Sequence, residues 1–272
     1  MPPVPGGVPS RRAERGRTKA MRRLAASLVL AMLVMPFACS ALAGDSFRLL
    51  QFDGHAVKWS GSAAGLGARV GYAFVDRSAH FDDARNCRDM TSLDDVLAAS
   101  GIGWSELRRE AEAAFAQWSS AADIAFHEVP AARADILIGA FEGRGAAFAD
   151  VAWRPSAVGG TARIERALVC LNAGRRWKLA FDGDLKVYDI RYTLTHEIGH
   201  AIGLDHPGAF GALMSFPYEE RFRTLRDGDI RGAIALYGAR GLPVAAAPAA
   251  AGPLPAAEIG GLPVSAARHP FH

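Results

Sequence analysis

The segment THEIGHAIGLDHPG, residues 195–208, brings His196, Glu197, His200 and His206 within eleven positions of one another. On an α-helix, residues four apart share a face, so His196 and His200 project together. Two imidazoles at that spacing can hold one Zn²⁺. Glu197 falls on the adjacent face, where its carboxylate can reach a water on the metal without displacing it. A catalytic zinc takes three protein ligands and keeps a fourth position open, so one more ligand is needed. Gly203 can supply the route to it, because glycine enters the left-handed conformation freely and lets the chain turn back beneath the metal. Three residues later stands His206. The chemistry expected of such a site is hydrolysis, with zinc activating water and polarising a carbonyl and Glu197 as general base.

The competing reading is that these are ordinary helix and loop residues. H-E-x-x-H alone does arise by accident in apolar helices. Adding Gly203 and His206 specifies five residues in one spacing, and the metal-binding reading prevails. His55, His80, His127, His269 and His272 have no partner spacing and read as solvated or structural.

The elements that must position this site are legible around it. Asp189 can cap a helix over residues 190–202 that stops at Gly203. Upstream, Leu107, Ala111, Ala114, Phe115 and Trp118 recur at helical spacing with charges between them, predicting an amphipathic helix over 105–121. Residues 69–75, 124–129, 134–141, 146–153 and 167–172 read as strands, 134–141 apolar enough to be buried on both faces. Gly159-Gly160 marks a turn between the last two. A final helix is expected after Asp227, with Ile230, Ile234 and Tyr237 facing inward and Gly238 ending it. The predicted class is α+β: a mixed, twisted sheet backed by long helices, in one folded unit over residues 44–238.

Composition narrows the rest. The formal charge of +3 across 272 residues hints at nucleic-acid binding. However, seven basic residues against Glu14 give the first 23 residues +6, so the remainder carries −3. No basic stripe is left, and a nucleic-acid partner is not expected. Residues 21–43, beginning Met21-Arg22-Arg23 and ending Ala41-Leu42-Ala43, have the layout of a secretory signal peptide cleaved before Gly44. Its apolar part, residues 24–38, is shorter than the ~20 residues a membrane span needs, so no stable anchor is expected once the leader is removed. Residues 1–20 read as an upstream extension and 239–272, rich in Ala and Pro, as a flexible tail. An exported monomer is the expectation. Without the leader's Cys39, Cys87 and Cys170 remain; they suggest one disulfide, the alternative being a thiol that masks the metal in a latent form.

Downstream, GALMSFPY places Met214 eight residues after His206. H-E-x-x-H-x-x-G-x-x-H followed by such a methionine is the metzincin arrangement. Within the metzincins the chain resembles the matrixins, the clan of the matrix metalloproteinase catalytic domain. AFAQWSSAADIAFHEV, ADILIGAF and LRDGDIRGAIALYG carry the likeness beyond the zinc motif, over about residues 70–238. The resemblance implies a zincin-like fold, one catalytic zinc on His196, His200 and His206, Glu197 as base, Met214 as an apolar floor, and polypeptide substrates. The substrate would lie extended along a sheet edge, for which residues 146–153 are the candidate, with residues 213–218 walling an apolar pocket.

Departures from the family sharpen these expectations. Matrix metalloproteinases carry a second, structural zinc held partly by histidines; residues 140–190 contain none, so that site is expected to be missing. Bound Ca²⁺ is a family trait, and Asp135 falls at a suitable position, but the glycine-rich calcium loop is not recognisable. The cysteine latency motif P-R-C-G is absent. Serralysins and astacins place tyrosine where Phe216 stands, so a tyrosine ligand is not expected there; Tyr218 can stabilise a transition state, line the pocket or simply pack. Two rivals stay open at this level: a secreted zinc-stabilised binding module without turnover, and a zinc amidase acting on a non-protein amide.

Overall fold

Among the described residues, short strand-forming runs build one seven-stranded sheet and three two-stranded ones. The computed structural model describes residues 46–59, 67–155, 161–208 and 210–241. The upstream extension, the leader, the Gly159-Gly160 turn and the tail from residue 242 onward lie outside the described residues. Three short strands come first: β1 (Arg48–Leu49), β2 (Gln51–Phe52) and β3 (His55–Lys58). β4 (Ala68–Phe74) follows, then a small antiparallel pair, β5 (Ala79–His80) and β6 (Asp89–Met90). Helices α1 (Asp94–Ser100) and α2 (Trp104–Ala121) lead to β7 (Ile124–Glu128), β8 (Ile136–Phe141), β9 (Ala147–Pro155) and β10 (Thr161–Asn172). The strands β11 (Trp177–Lys178) and β12 (Tyr188–Asp189) precede α3 (Ile190–Ala201), β13 (Leu204–Asp205) and α4 (Asp227–Tyr237).

The main sheet runs β2-β3-β10-β8-β4-β7, with β9 on the other flank of β10. β4, β7, β8 and β10 are mutually parallel, whereas β9 runs antiparallel to β10. Residues 162–171 of β10 pair with β9, overlapping both the β3 and β8 registers. A strand has only two edges, so β3 and β8 share one edge of β10, and β9 closes the other as an edge strand. The mixed α+β sheet backed by long helices is therefore present.

Alternation assigns the two faces. On β9, Ala147, Ala149, Val151 and Trp153 point into the main core with Ala167, Val169 and Leu171 of β10. That core also takes Leu107, Ala111, Ala114, Phe115 and Trp118, the predicted inner face of α2, and Leu194 and Ile198 of α3. The opposite face carries Phe148, Leu168 and Cys170, covered by Ala84, Cys87 and Met90. Cys87 and Cys170 form the disulfide, across 83 residues of sequence. Asp150, buried on that face of β9, accepts N–H bonds from Arg85, Asn86 and Cys87 at 2.7–2.9 Å.

One expectation needs revision. Ile234 does not face inward on α4: it is 36% exposed, and Ile230 is only half-buried. The inner face is Asp229, Gly232, Ala233, Leu236 and Tyr237. Gly232 explains the rotation, since a Cβ there would lie 2.3 Å from Leu204 Cδ2, so the helix packs through its smallest residues. In the described segment 46–59, Leu50, Phe52, Val57 and Trp59 are buried. No described helix is long and apolar enough to cross a membrane.

Candidate metal centre

α3 starts where expected. The Asp189 carboxylate accepts from Tyr192 N–H at 2.7 Å, satisfying one of the free donors of the first turn. That carboxylate is fully buried; burial pushes its pKa up, while Arg223, bonded to both its oxygens, pulls the other way. Arg223 and Arg191 also share Glu110 of α2, so the start of α3 is cross-linked to its neighbouring helix. Tyr218 belongs to this cluster as well. Its hydroxyl accepts from Asp189 N–H at 2.8 Å and donates to Glu220 at 2.6 Å, and its ring is buried against Tyr188 and Tyr192. Of the roles open to Tyr218 in sequence, its surroundings favour packing.

One turn further along, His196 and Glu197 are fully buried and His200 is 2% exposed. The helix ends at Ile202, and Gly203, at φ +103°, turns the chain back. A Cβ on Gly203 would sit 2.1 Å from Val57 O, so close approach as well as conformation excludes any other residue. The return brings His206 to its partners. The Nε2 atoms of His196, His200 and His206 lie 2.9, 3.1 and 3.2 Å apart in pairs. Among the described residues, they are the one group of three His, Cys, Asp or Glu side chains close enough to share an ion.

These contacts are not ordinary hydrogen bonds. His196 Nδ1 faces Leu213 O and His200 Nδ1 faces Leu204 O, each at 2.9 Å. A carbonyl only accepts, so each Nδ1 carries the ring proton and each Nε2 presents a lone pair. Two lone pairs 3.1 Å apart repel one another unless a cation lies between them. The donor set thus fits a metal that takes neutral imidazoles, and the carbonyls are the partners that fix ring orientation at such sites.

Beneath the histidines, Met214 is 1% exposed and packs against Gly199, where a Cβ would come within 2.2 Å of its sulfur. The turn carrying Met214 is held by Asp229 of α4, which accepts from Leu213 N–H at 2.8 Å and Met214 N–H at 3.0 Å. Sequence reading missed Asp229. The signal available was its place three residues after Arg226, whose N–H it also accepts at 2.8 Å, the acidic half of a capping box. Glu197 is the exception in this well-bonded region. Neither of its carboxylate oxygens has a hydrogen-bond partner among the described residues. Burial first, and the charge of Asp150 second, raise its pKa well above the ordinary range.

With the geometry in place, the matrixin family model matches residues 95–238, just over half of the chain. The chain belongs to the matrixin family. Matrixins are zinc enzymes, and the three-histidine cluster lies within the matched span. Similar proteins include matrix metalloproteinase-19 of Homo sapiens, 35% identical over 130 residues, or 46% of this chain and 25% of that protein. The Mus musculus matrix metalloproteinase-19 is 32% identical over 145 residues, 52% of this chain and 27% of its own. Interstitial collagenase of Sus scrofa is 29% identical over 151 residues, 51% of this chain and 30% of its own. The chain thus spans about a quarter to a third of these relatives' length. The matched span begins later than the likeness read from residue 70 onward, leaving β1 to β6 and Cys87 outside the matrixin match.

Asp135, the calcium candidate, accepts from Gly71 N–H at 2.7 Å through one carboxylate oxygen. Phe216 stands beside the cluster, 38% exposed, its ring centroid 5.5 Å from that of His206.

Proposed function

We propose that this matrixin domain is an exported zinc endopeptidase cutting extended polypeptides, with His196, His200 and His206 as metal ligands and Glu197 as general base. The observation that carries it is a buried carboxylate without a hydrogen-bond partner among the described residues, next to three imidazole nitrogens that face one another. A structural site has no use for an unpaired buried acid, which costs stability. Zn²⁺, when bound, supplies Lewis acidity, lowering the pKa of water and polarising a scissile carbonyl. Glu197 takes the proton of the attacking water on its carboxylate and returns it to the leaving amine.

The substrate backbone pairs with the outer edge of β9, the strand that packs beside α3. Phe216 offers an apolar surface next to His206 for one substrate side chain. Export rests on the leader over residues 21–43, and the domain acts as a monomer.

The test is cleavage of a mixed peptide library by the purified chain beside Glu197→Gln, read by mass spectrometry. The expected result is cuts that a zinc chelator abolishes and that the variant, with zinc still bound, makes about 10²–10⁴-fold more slowly. Zinc-loaded protein that cuts no peptide would overturn the reading and favour a binding module or a non-protein amide substrate.

A further inference from the structure

We infer that the hairpin segment 46–59, which lies outside the matrixin match, is a positioning element for His206, so that the metal site depends on it. The inference rests on the three histidines being metal ligands. Two of them ride on α3, whose geometry is set by its own backbone ladder. His206 does not: it sits in a loop, and its place is set by whatever holds residues 203–206.

The hairpin holds them. β1 pairs antiparallel with β13, Arg48 opposite Asp205 and Leu49 opposite Leu204. Leu50 N–H donates to Gly203 O at 2.8 Å, and Val57 O fills the space under Gly203 where a side chain would be. Trp59 Nε1 donates to Ala201 O at 2.9 Å. Trp59 N–H also bonds to the Tyr237 hydroxyl, which itself donates to Ile202 O at 2.6 Å. A helix leaves its last carbonyls without partners. Here the carbonyls of Ala201, Ile202 and Gly203 are satisfied by Trp59, Tyr237 and Leu50 in turn. The end of α3 and the turn to the third histidine are thereby held largely from outside the matched domain, by Trp59 and Leu50, with Tyr237 the one partner inside it.

The ionic link is the most direct. Arg48 Nε lies 3.0 Å from Asp205 Oδ2, and Asp205 Oδ1 accepts from His206 N–H at 2.7 Å. The Asp205 side chain is 5% exposed while that of Arg48 is 66% exposed. A carboxylate that buried needs its partners, so Arg48 helps to fix the group that orients the His206 backbone. The same pairing holds Leu204, whose carbonyl accepts from His200 Nδ1, so a second histidine is oriented through it.

The experiment uses the intact chain with Arg48→Gln, Arg48→Lys and Asp205→Asn. Zinc dissociation constants come from chelator competition, ligand geometry from the visible spectrum of the Co²⁺-loaded protein, and fold integrity from melting of the metal-free form. Asp205→Asn is expected to weaken zinc binding by about 10–100-fold, as loss of other outer partners of ligands does. Arg48→Gln should weaken it several-fold and Arg48→Lys should restore most of that, each variant altering the Co²⁺ spectrum without lowering the metal-free melting temperature. Arg48 is exposed, so its variants fold even if Asp205→Asn does not. Unchanged affinity and spectrum in the Arg48→Gln protein, or affinity that falls only in step with metal-free melting, overturns the inference. If the unmodified chain binds zinc tightly but cuts nothing, the peptidase reading fails alone; if it binds no zinc, both fail.

Discussion

Met214 lies against the backbone of Gly199 with no room for another carbon: a Cβ on Gly199 would be 2.2 Å from Met214 Sδ and 2.9 Å from Trp118 Cζ2. Gly199 precedes His200, so the methionine turn is in contact with the helix at the histidines themselves. Both neighbours are buried, Trp118 completely.

Gly199→Ala should therefore destabilise the domain, although alanine is the better helix former. Helix propensity favours alanine by up to about 1 kcal/mol. Overpacking a filled core costs about 1–3 kcal/mol, and here it falls on the buried Met214 thioether and the fully buried Trp118 indole, so the net effect is a loss. Urea unfolding of the metal-free protein measures it. Unchanged or increased stability would show that Met214 can step aside and that the contact is not a constraint.

Asp229 gives a second prediction. It accepts three backbone N–H bonds, from Leu213, Met214 and Arg226, while itself 1% exposed. Asp229→Ala strands these donors, at about 1–3 kcal/mol for each buried group left unsatisfied, so a total loss on the order of 3 kcal/mol or more is expected. Asp229→Asn retains an acceptor oxygen and should lose less. Since Leu213 O is the partner of His196 Nδ1, zinc affinity should fall with Asp229→Ala as well. Equal stabilities of the two variants would contradict this account of the turn.

The disulfide gives a third. Cys170 pairs in register with Phe148 of the edge strand, and Cys87 lies in the loop that Asp150 anchors to the same strand. Closing a loop over 83 residues of sequence contributes roughly 4–5 kcal/mol by the chain-entropy model. Replacing both cysteines with serine should cost about 2–5 kcal/mol, the range seen when native bridges are removed from small secreted domains. Hydrogen exchange should quicken in β9 before it does in α2. Uniform loss of protection, with β9 no worse than α2, would mean that the bridge stabilises the fold generally and does not secure the edge.

The sequence alone reached far where the information is local. The spacing of His196, Glu197, His200, Gly203 and His206 depends only on helix pitch and on glycine's access to positive φ, so the cluster was legible before any fold was known. The Asp189 cap and the inner face of α2 are local in the same sense, and with Cys39 assigned to the expected leader, Cys87 and Cys170 were the pair suggested for a disulfide.

Tertiary structure alone decided what depends on partners distant in sequence. Ile234 looked like a core residue by type, yet the small face of Gly232 and Ala233 turned it outward, because packing selects the side of a helix that fits its neighbour. Nothing in residues 46–59 announces that they will pair with residues 203–205, nor in Asp229 that it will hold the chain at Met214. Helical periodicity is written in neighbouring residues, whereas strand pairing and buried acceptors join segments whose separation in sequence carries no trace of their meeting.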